Sequence, residues 1–453
     1  MQDGLLIAAL VASYAAFALG PYSVWPNRWN IVGHVQFGLF FMQYLIPLMW
    51  FDPAGYVRNS TIRLYTEIMM LGAFLYLFAL PIGFRSPRFS LTGHRILTMS
   101  APSYRKLFRK RVIIVTALAS IGLLVSLFIM GFVPMFATDP LQAKYFHGEY
   151  RSGYLRAAVI FRPAYFAFIA YLPLSLAVAF SEQKLRHYFL ILIGVVAIVG
   201  CLNRGELGVA LIGGFGIVVA AKKNRVAFGF YLAMVVLFVT IGTLANYFLN
   251  FYFALNTGNF DPEEQVSEEI ASGAPDVAEG LKFFENFRES DRLTYGAQIV
   301  GGLVPFQSLT MNWIPLARYN PGLWAQGVLL GTDDEETIRN VGGGGLRIAV
   351  PISGYAAFGW FGVALVSAVA GFLTGYLVRF ARTYAGQGSI EQSAIVIALY
   401  LAFWPLAVTP TSITWYQTLQ PLALAWLIYP IGPIRFDLRH LLSRGPVPAE
   451  SIS

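Results

Sequence analysis

Six arginines stand where a cation has a chemical use. Arg162 interrupts a long apolar run, in Ile160-Phe161-Arg162-Pro163. Arg151 and Arg156 precede it in Lys144-Tyr145-Phe146-His147-Gly148-Glu149-Tyr150-Arg151-Ser152-Gly153-Tyr154-Leu155-Arg156, a stretch dense in bases and aromatics. Arg204 lies with Glu206 in Asn203-Arg204-Gly205-Glu206, between two short apolar runs, and Arg347 follows the glycine run 342–345. Arg318 comes after Ile314-Pro315. Charges at membrane depth are costly and usually functional. A guanidinium fork binds phosphate oxygens bidentately, and aromatic faces such as those of Tyr150 and Tyr355 stack on sugar rings. The set therefore suits a ligand carrying a diphosphate and sugars. For proton transfer the candidates are His147 and Glu206. Each residue also has a plainer use. Arg204 and Glu206 can close a hairpin as a mutual ion pair, and the arginines around 151–162 can snorkel to lipid phosphates. His147 can be a surface hydrogen-bonding group and the glycine run a hinge.

Other chemistries lack their residues. There is no Gly-x-Ser-x-Gly, no His-Glu-x-x-His and no Walker sequence, and the five histidines are scattered. Cys201 is the one cysteine, so neither an internal disulfide nor a cysteine-based metal site is available. Asp333-Asp334-Glu335-Glu336 could hold a metal with a nucleotide sugar, but reads better as a solvated acidic stretch. No metal and no cofactor is expected.

The elements that must position these residues are membrane helices. Of 453 residues, 57% are hydrophobic and 12% charged, and the mean hydropathy is +0.59. A soluble chain carries about a quarter charged residues, so an all-α polytopic membrane protein is expected. Runs near the 20 or so apolar residues that a span needs fall at 4–20, 36–50, 68–84, 112–131, 158–180, 189–203, 207–221, 228–250, 352–377, 392–412 and 414–433, or about eleven transmembrane helices. No base precedes the first run, which is not expected to be a cleaved signal. The segment 85–111 holds eight bases and no acid, and shorter basic connections lie at Lys184/Arg186, Lys222/Lys223/Arg225 and Arg379/Arg382. With these spans they all fall on one side, which predicts an outer N-terminus and a cytoplasmic C-terminus. The net charge of +8 then reports basic cytoplasmic loops rather than a nucleic-acid partner.

One segment departs from this composition. Between 251 and 346 lie fourteen of the 24 acids against five of the 32 bases, so this outer loop is about −9 and the remainder about +17. Its residues 278–287 read as an amphipathic helix with Leu281, Phe284 and Phe287 on one face. Its uncharged middle, 293–317, contains Gly296, Gly301, Gly302, Pro305 and Pro315. A single span there would reverse every downstream loop, so a segment lying in or dipping into the outer interface is expected. The chain thus divides into helices 1–8 over 1–250, an outer loop domain with interfacial helices over 251–346, helices 9–11 over 347–433, and a cytoplasmic tail over 434–453.

In this order the motifs resemble those of the Wzy-type O-antigen polymerases of bacterial envelopes. The resemblance rests on Gly131-Phe132-Val133-Pro134-Met135-Phe136 before a basic outer loop, and on the Asn203-Arg204-Gly205 turn. It rests further on the outer loop ending in Ile314-Pro315, Arg318 and Pro321, and on Pro351-Ile352-Ser353-Gly354-Tyr355-Ala356-Ala357-Phe358-Gly359-Trp360-Phe361-Gly362. Together these cover roughly 130–365. Two departures are Gly354, where many relatives carry a glutamate, and Gly359, one position beyond the glycine that some relatives place after an arginine such as Arg347.

The resemblance implies a metal-independent, GT-C-like glycosyltransferase of the bacterial inner membrane, active at the periplasmic face in lipopolysaccharide biosynthesis. Such enzymes move a growing glycan from undecaprenyl diphosphate onto a lipid-linked repeat unit, with a chain-length regulator as an expected partner. In that reading Arg162, Arg204 and Arg347, helped by Arg151, Arg156 and Arg318, bind the diphosphate. The nearest rival is an O-antigen ligase delivering the glycan to lipid A core. A lipid-linked glycan transporter fits less well, because internal repeats are absent and the ionisable residues crowd one face.

Overall fold

A computed structural model of the chain describes residues 2–27, 29–45, 56–86, 102–146, 148–202, 275–290, 292–305, 313–319, 321–333 and 348–384, with isolated positions at 48, 53, 207, 210, 211, 213, 214, 338, 414 and 415. Every described element is helical. They are α1 (Gln2–Val24), α2 (Ile31–Phe40, continued by a π-helical turn Phe41–Leu45), α3 (Asn59–Arg85), α4 (Pro102–Met130), α5 (Pro140–Tyr145) and α6 (Tyr150–Glu182). There follow α7 (Leu185–Gly200), α8 (Pro275–Ser290), α9 (Ala297–Gly302), α10 (Pro321–Leu330) and α11 (Val350–Tyr384). Among the described residues, five stretches are long and apolar enough to cross a membrane: Gly4–Val24, Asn59–Arg85, Arg105–Phe136, Gln142–Glu182 and Val350–Arg382. This is an α-helical membrane protein. The expected spans 207–221, 228–250, 392–412 and 414–433 lie outside the described residues except for isolated positions. The expected span 36–50 begins five residues early, because Asn30 caps α2 by accepting the Gly33 N–H.

Among the described residues, two apolar cores organise the helices. One gathers α1, α2, α3, α8, α10 and α11, and the other α4, α6 and α7 with the residues just after Gly200. Within the first, α3 and the long arm of α11 (360–384) run side by side in the same direction. Ser367 lies opposite Gly72, Gly371 opposite the Tyr76 carbonyl and Gly375 opposite the Leu80 carbonyl. Four-residue steps on both helices bring glycines against backbone oxygens, the close approach by which membrane helices pack without a hydrophobic driving force. At its end Arg379 donates to the carbonyls of Phe84 and Ser86, closing the α3 C-terminus. Arg382 lies 5.7 Å from the Phe84 ring centroid. α1 follows the same direction, with Tyr14 bonded to Tyr65 and Phe17 against Tyr76. Antiparallel to α1 runs α2, as the pairs Phe17–Gln36 and Tyr22–His34 require.

In the second core α4 and α6 are antiparallel, through Thr116–Ser175, Gly122–Ala164 and Met130–Gly153. Because Ser120 donates to Leu190 O at 3.0 Å and Val133 meets Gly200, α7 is parallel to α4.

α11 is not one rod. Phe358 (φ −142°, ψ 24°) and Gly359 (φ 61°, ψ −145°) leave helical geometry, and Gly354 and Gly362 lie backbone to backbone. A short arm (350–357) therefore folds back on the long one. Pro351 reaches Gly72, beside Ser367, so the short arm begins deep within the bundle and climbs to the reversal.

The acidic helix α8 docks on this bundle. Over Pro275–Ser290, α8 buries Val277, Leu281, Phe283, Phe284 and Phe287, extending the apolar face expected from 278–287. No membrane-length helix forms in the described part of 293–317, which holds only α9 and a 3-10 turn at Pro315–Arg318.

Candidate functional site

The basic stretch folds as a turn and the start of α6. Asp139 caps α5 by accepting the Gln142 N–H at 3.0 Å, and Phe146 ends that helix in the left-handed region (φ 58°). The Phe146 ring stacks on Tyr154 with centroids 4.1 Å apart and stands edge-on to Phe161 at 5.5 Å. Against this aromatic corner Arg162 reaches back. Its Nε donates to the Tyr154 hydroxyl, and its guanidinium carbon lies 5.5 Å from the Tyr154 ring centroid. Helical side chains lean toward the N-terminus, so the guanidinium is drawn about one turn toward the helix start while its Cα stays inside the apolar run, and the Tyr154 side chain spans the rest of the separation. Arg162 is half-buried.

Arg151 and Arg156 are exposed on the same helix. Roughly three turns separate Arg151 from Arg162, so the two share a face. Tyr150 is placed differently from the expected sugar platform. Its buried ring packs against Phe132 at 4.9 Å, and its hydroxyl meets Thr138 Oγ1 at 3.0 Å and the Asp139 N–H at 3.2 Å. It pins the turn instead of presenting a face. His147, Arg204, Glu206 and Arg347 lie outside the described residues. Their described neighbours are Phe146, Leu202, itself in the left-handed region (φ 59°), and the buried Ile348 and Ala349.

Tyr355 sits on the short arm of α11, half-buried between Phe284 of α8 (5.6 Å) and Trp360 (5.7 Å). Phe284 in turn stands edge-on to Tyr65 at 5.7 Å. Gly354, where the resemblance suggests a carboxylate, has no room for one: a side chain there runs into the backbone of Gly362 and Val363. Exposed Arg318 ends the 3-10 turn whose Leu316 and Tyr319 carbonyls receive Gly301. That turn packs against α9 and is not among the described elements that pack closely on α6. Among the described residues no group of three His, Cys, Asp or Glu could hold a metal.

Helix α8 is held electrostatically as well as by packing. Buried Glu285 accepts Lys282 Nζ at 2.7 Å and the Arg58 N–H, just before α3, at 3.0 Å. Those two bonds hold its carboxyl below the usual range, against the opposing effect of burial. Arg58 Nη2 also reaches Glu289 at 2.7 Å.

The sequence offers no sign of Tyr154 as the partner of Arg162, because residues eight apart are not helix neighbours. Comparison of the chain with protein-family models, with curated proteins and with solved structures finds no match in any of the three.

Proposed function

We propose that the protein is a membrane glycosyltransferase of the O-antigen polymerase kind, moving a growing glycan from undecaprenyl diphosphate onto a lipid-linked repeat unit. The observation that carries the reading is Arg162, a membrane-depth arginine drawn toward the end of its helix by Tyr154 and aligned with Arg151. A lipid diphosphate presents its charge at that level while its chain remains among apolar helices. As the glycosidic bond breaks, charge grows on the leaving diphosphate, and preorganised guanidinium groups stabilise it there. Arg204 and Arg347 complete the set in this reading, and His147 or Glu206 takes the acceptor hydroxyl proton.

The finer architecture belongs to the same proposal: about eleven spans, a GT-C-like arrangement, an outer loop in the periplasm and a basic cytoplasmic face in the bacterial inner membrane. Helix directions support the span order. α1, α3 and the long arm of α11, expected as spans one, three and nine, run one way, and α2 runs the other. α4 and α7, expected as spans four and six, oppose α6, expected as span five. A single crossing within 293–317 would reverse α11 relative to α3.

The test is elongation. Protein reconstituted in liposomes with a defined undecaprenyl-diphosphate oligosaccharide should yield a ladder of longer lipid-linked glycans without lipid A core. A ligase would give product only once core is added, and a transporter none. Arg162→Ala should lower the elongation rate by about 10²-fold, the effect of removing one transition-state donor. Undiminished elongation by that variant, or no elongation by the wild type, sinks the reading.

A further inference from the structure

An aromatic corner with no role in the preceding proposal forms where the outer segment meets the α11 reversal. Thr294 donates its N–H to Ala356 O at 3.0 Å and its hydroxyl lies 3.1 Å from the same oxygen. The hydroxyl also bonds Gln298 Oε1, and Gln298 Nε2 donates to Ser353 O at 3.3 Å from a fully buried position. Gly296 lies against the Phe358 ring. Segment 294–298 thus closes the carbonyl end of the short arm, which a helix terminus otherwise leaves unsatisfied.

Tyr295 is fixed between these contacts, and its placement is unusual. It holds a left-handed backbone (φ 50°), rare for a bulky residue, and Gly296 beside it is also left-handed (φ 80°). The side chain so placed is 75% exposed. A strained backbone that presents an aromatic ring outward points to a use outside the chain's own packing. At the other side of the reversal Trp360 is 46% exposed, standing at 88° to Tyr355, which Phe284 backs.

The corner also has a polar rim: the rings of Tyr295 and Tyr355 carry their own hydroxyls, and exposed Arg292 stands three positions before Tyr295 in the chain. Rigid aromatic rings beside hydrogen-bond donors suit a pyranose, whose C–H face is apolar and whose edge carries hydroxyls. A purely lipid-facing surface has no need of the polar rim, and the same helix already presents an apolar stripe at Phe361, Leu365 and Val369.

We propose that Tyr295, Tyr355 and Trp360 form a carbohydrate subsite, a pyranose stacking on the aromatic corner, with Thr294 and Gln298 as positioning residues that hold it together. This rests on the glycosyltransferase reading for its biological meaning but not for its test. Saturation-transfer difference NMR would be recorded on the full-length protein in nanodiscs, with methyl glycosides of glucose, galactose, mannose, rhamnose and N-acetylglucosamine. At least one glycoside should give transfer to its ring protons. Trp360→Ala and Tyr295→Ala should each lower that transfer at least threefold, with Tyr295→Phe and Trp360→Tyr recovering part of it. Gln298→Ala should lower it, and Gln298→Glu at least as much, because it removes the donor to Ser353 O and sets a carboxylate beside that carbonyl in a fully buried position.

Melting temperatures of the variants, read in parallel, separate lost binding from lost folding. No transfer with any glycoside, or transfer indifferent to Trp360 and Tyr295, overturns the subsite. So does loss of bromolipid quenching on Trp360→Phe without any glycoside signal, which assigns the corner to the lipid interface. Glycoside binding without elongation of lipid-linked repeats would instead overturn the polymerase reading and leave the subsite standing.

Discussion

The Nε of Arg162 donates to the hydroxyl of Tyr154, eight positions earlier on the same helix. This bond carries a charge that begins inside an apolar run back toward the helix start, and Phe146 stacks on the far partner. Tyr154→Phe keeps the stack and removes the acceptor. A hydrogen bond to a charged group is worth about 1.5–3 kcal/mol, so kcat/KM for elongation should fall roughly 10- to 100-fold. The melting temperature should change little. Equal rates for Tyr154→Phe and wild type would show that Tyr154 does not position the guanidinium.

The tether of α8 to the start of α3 should depend on acid pH. Glu285 has its pKa lowered in the folded protein by the Lys282 hydrogen bond and the Arg58 N–H. A depressed carboxyl contributes stability that is complete above its unfolded pKa, near 4.5, and lost as pH falls through the lower folded value. The protection of 275–290 against hydrogen exchange, taken relative to the intrinsic amide rate at each pH, should therefore stay high at neutral pH and fall as pH drops below about 4.5. Glu285→Gln, which can still accept from the Arg58 N–H but carries no charge, should flatten that dependence. An unchanged acid response in the variant would place its origin elsewhere.

Some of this molecule is legible in its sequence. The apolar runs at 112–131 and 158–180 fall on α4 and α6, because lipid demands mostly apolar side chains along a span and the composition records it. The apolar face of α8 follows from its periodicity. The α11 reversal does not, since Phe358-Gly359 interrupts 352–377 without any charge or proline to mark it. What decides the fold there is backbone contact between Gly354 and Gly362, a long-range pairing that hydropathy does not encode. At the candidate site, Arg162 stands out by its cost in an apolar run. Tyr154, Tyr295 and Trp360 do not, because an aromatic residue in a membrane protein has many ordinary uses.

The parallel packing of α3 on α11 makes its glycines unequal. A methyl group on Gly371 or Gly375 would enter the carbonyls of Tyr76 and Leu80, and one on Gly83 the carbonyl of Phe372. Gly38, in α2, has open space around the same position. Gly371→Ala and Gly375→Ala should each destabilise by about 1–3 kcal/mol, the cost of overpacking against a backbone that cannot rotate away. Gly38→Ala should leave the melting temperature unchanged or raise it slightly. A thermal-unfolding series in one detergent compares the three, and equal melting temperatures would refute the close approach.

Gly354 and Gly359 together make the reversal, and each should resist replacement for a different reason. Gly359 combines φ 61° with ψ −145°, a region open essentially to glycine alone, so Gly359→Ala should cost about 1–3 kcal/mol through the backbone itself. At Gly354 the backbone is ordinary but the space is filled by Gly362. Gly354→Ala should therefore destabilise by overpacking, and Gly354→Glu more, since it would also bring a carboxylate into a buried position. The second substitution bears on mechanism. In a chain whose proton acceptor stood at this motif position, Gly354→Glu would raise elongation; here it should lower both stability and elongation, leaving His147 and Glu206 as the residues whose replacement discriminates. A Gly354→Glu protein with native melting temperature and faster elongation would overturn the packing of the reversal and the placement of the base at once.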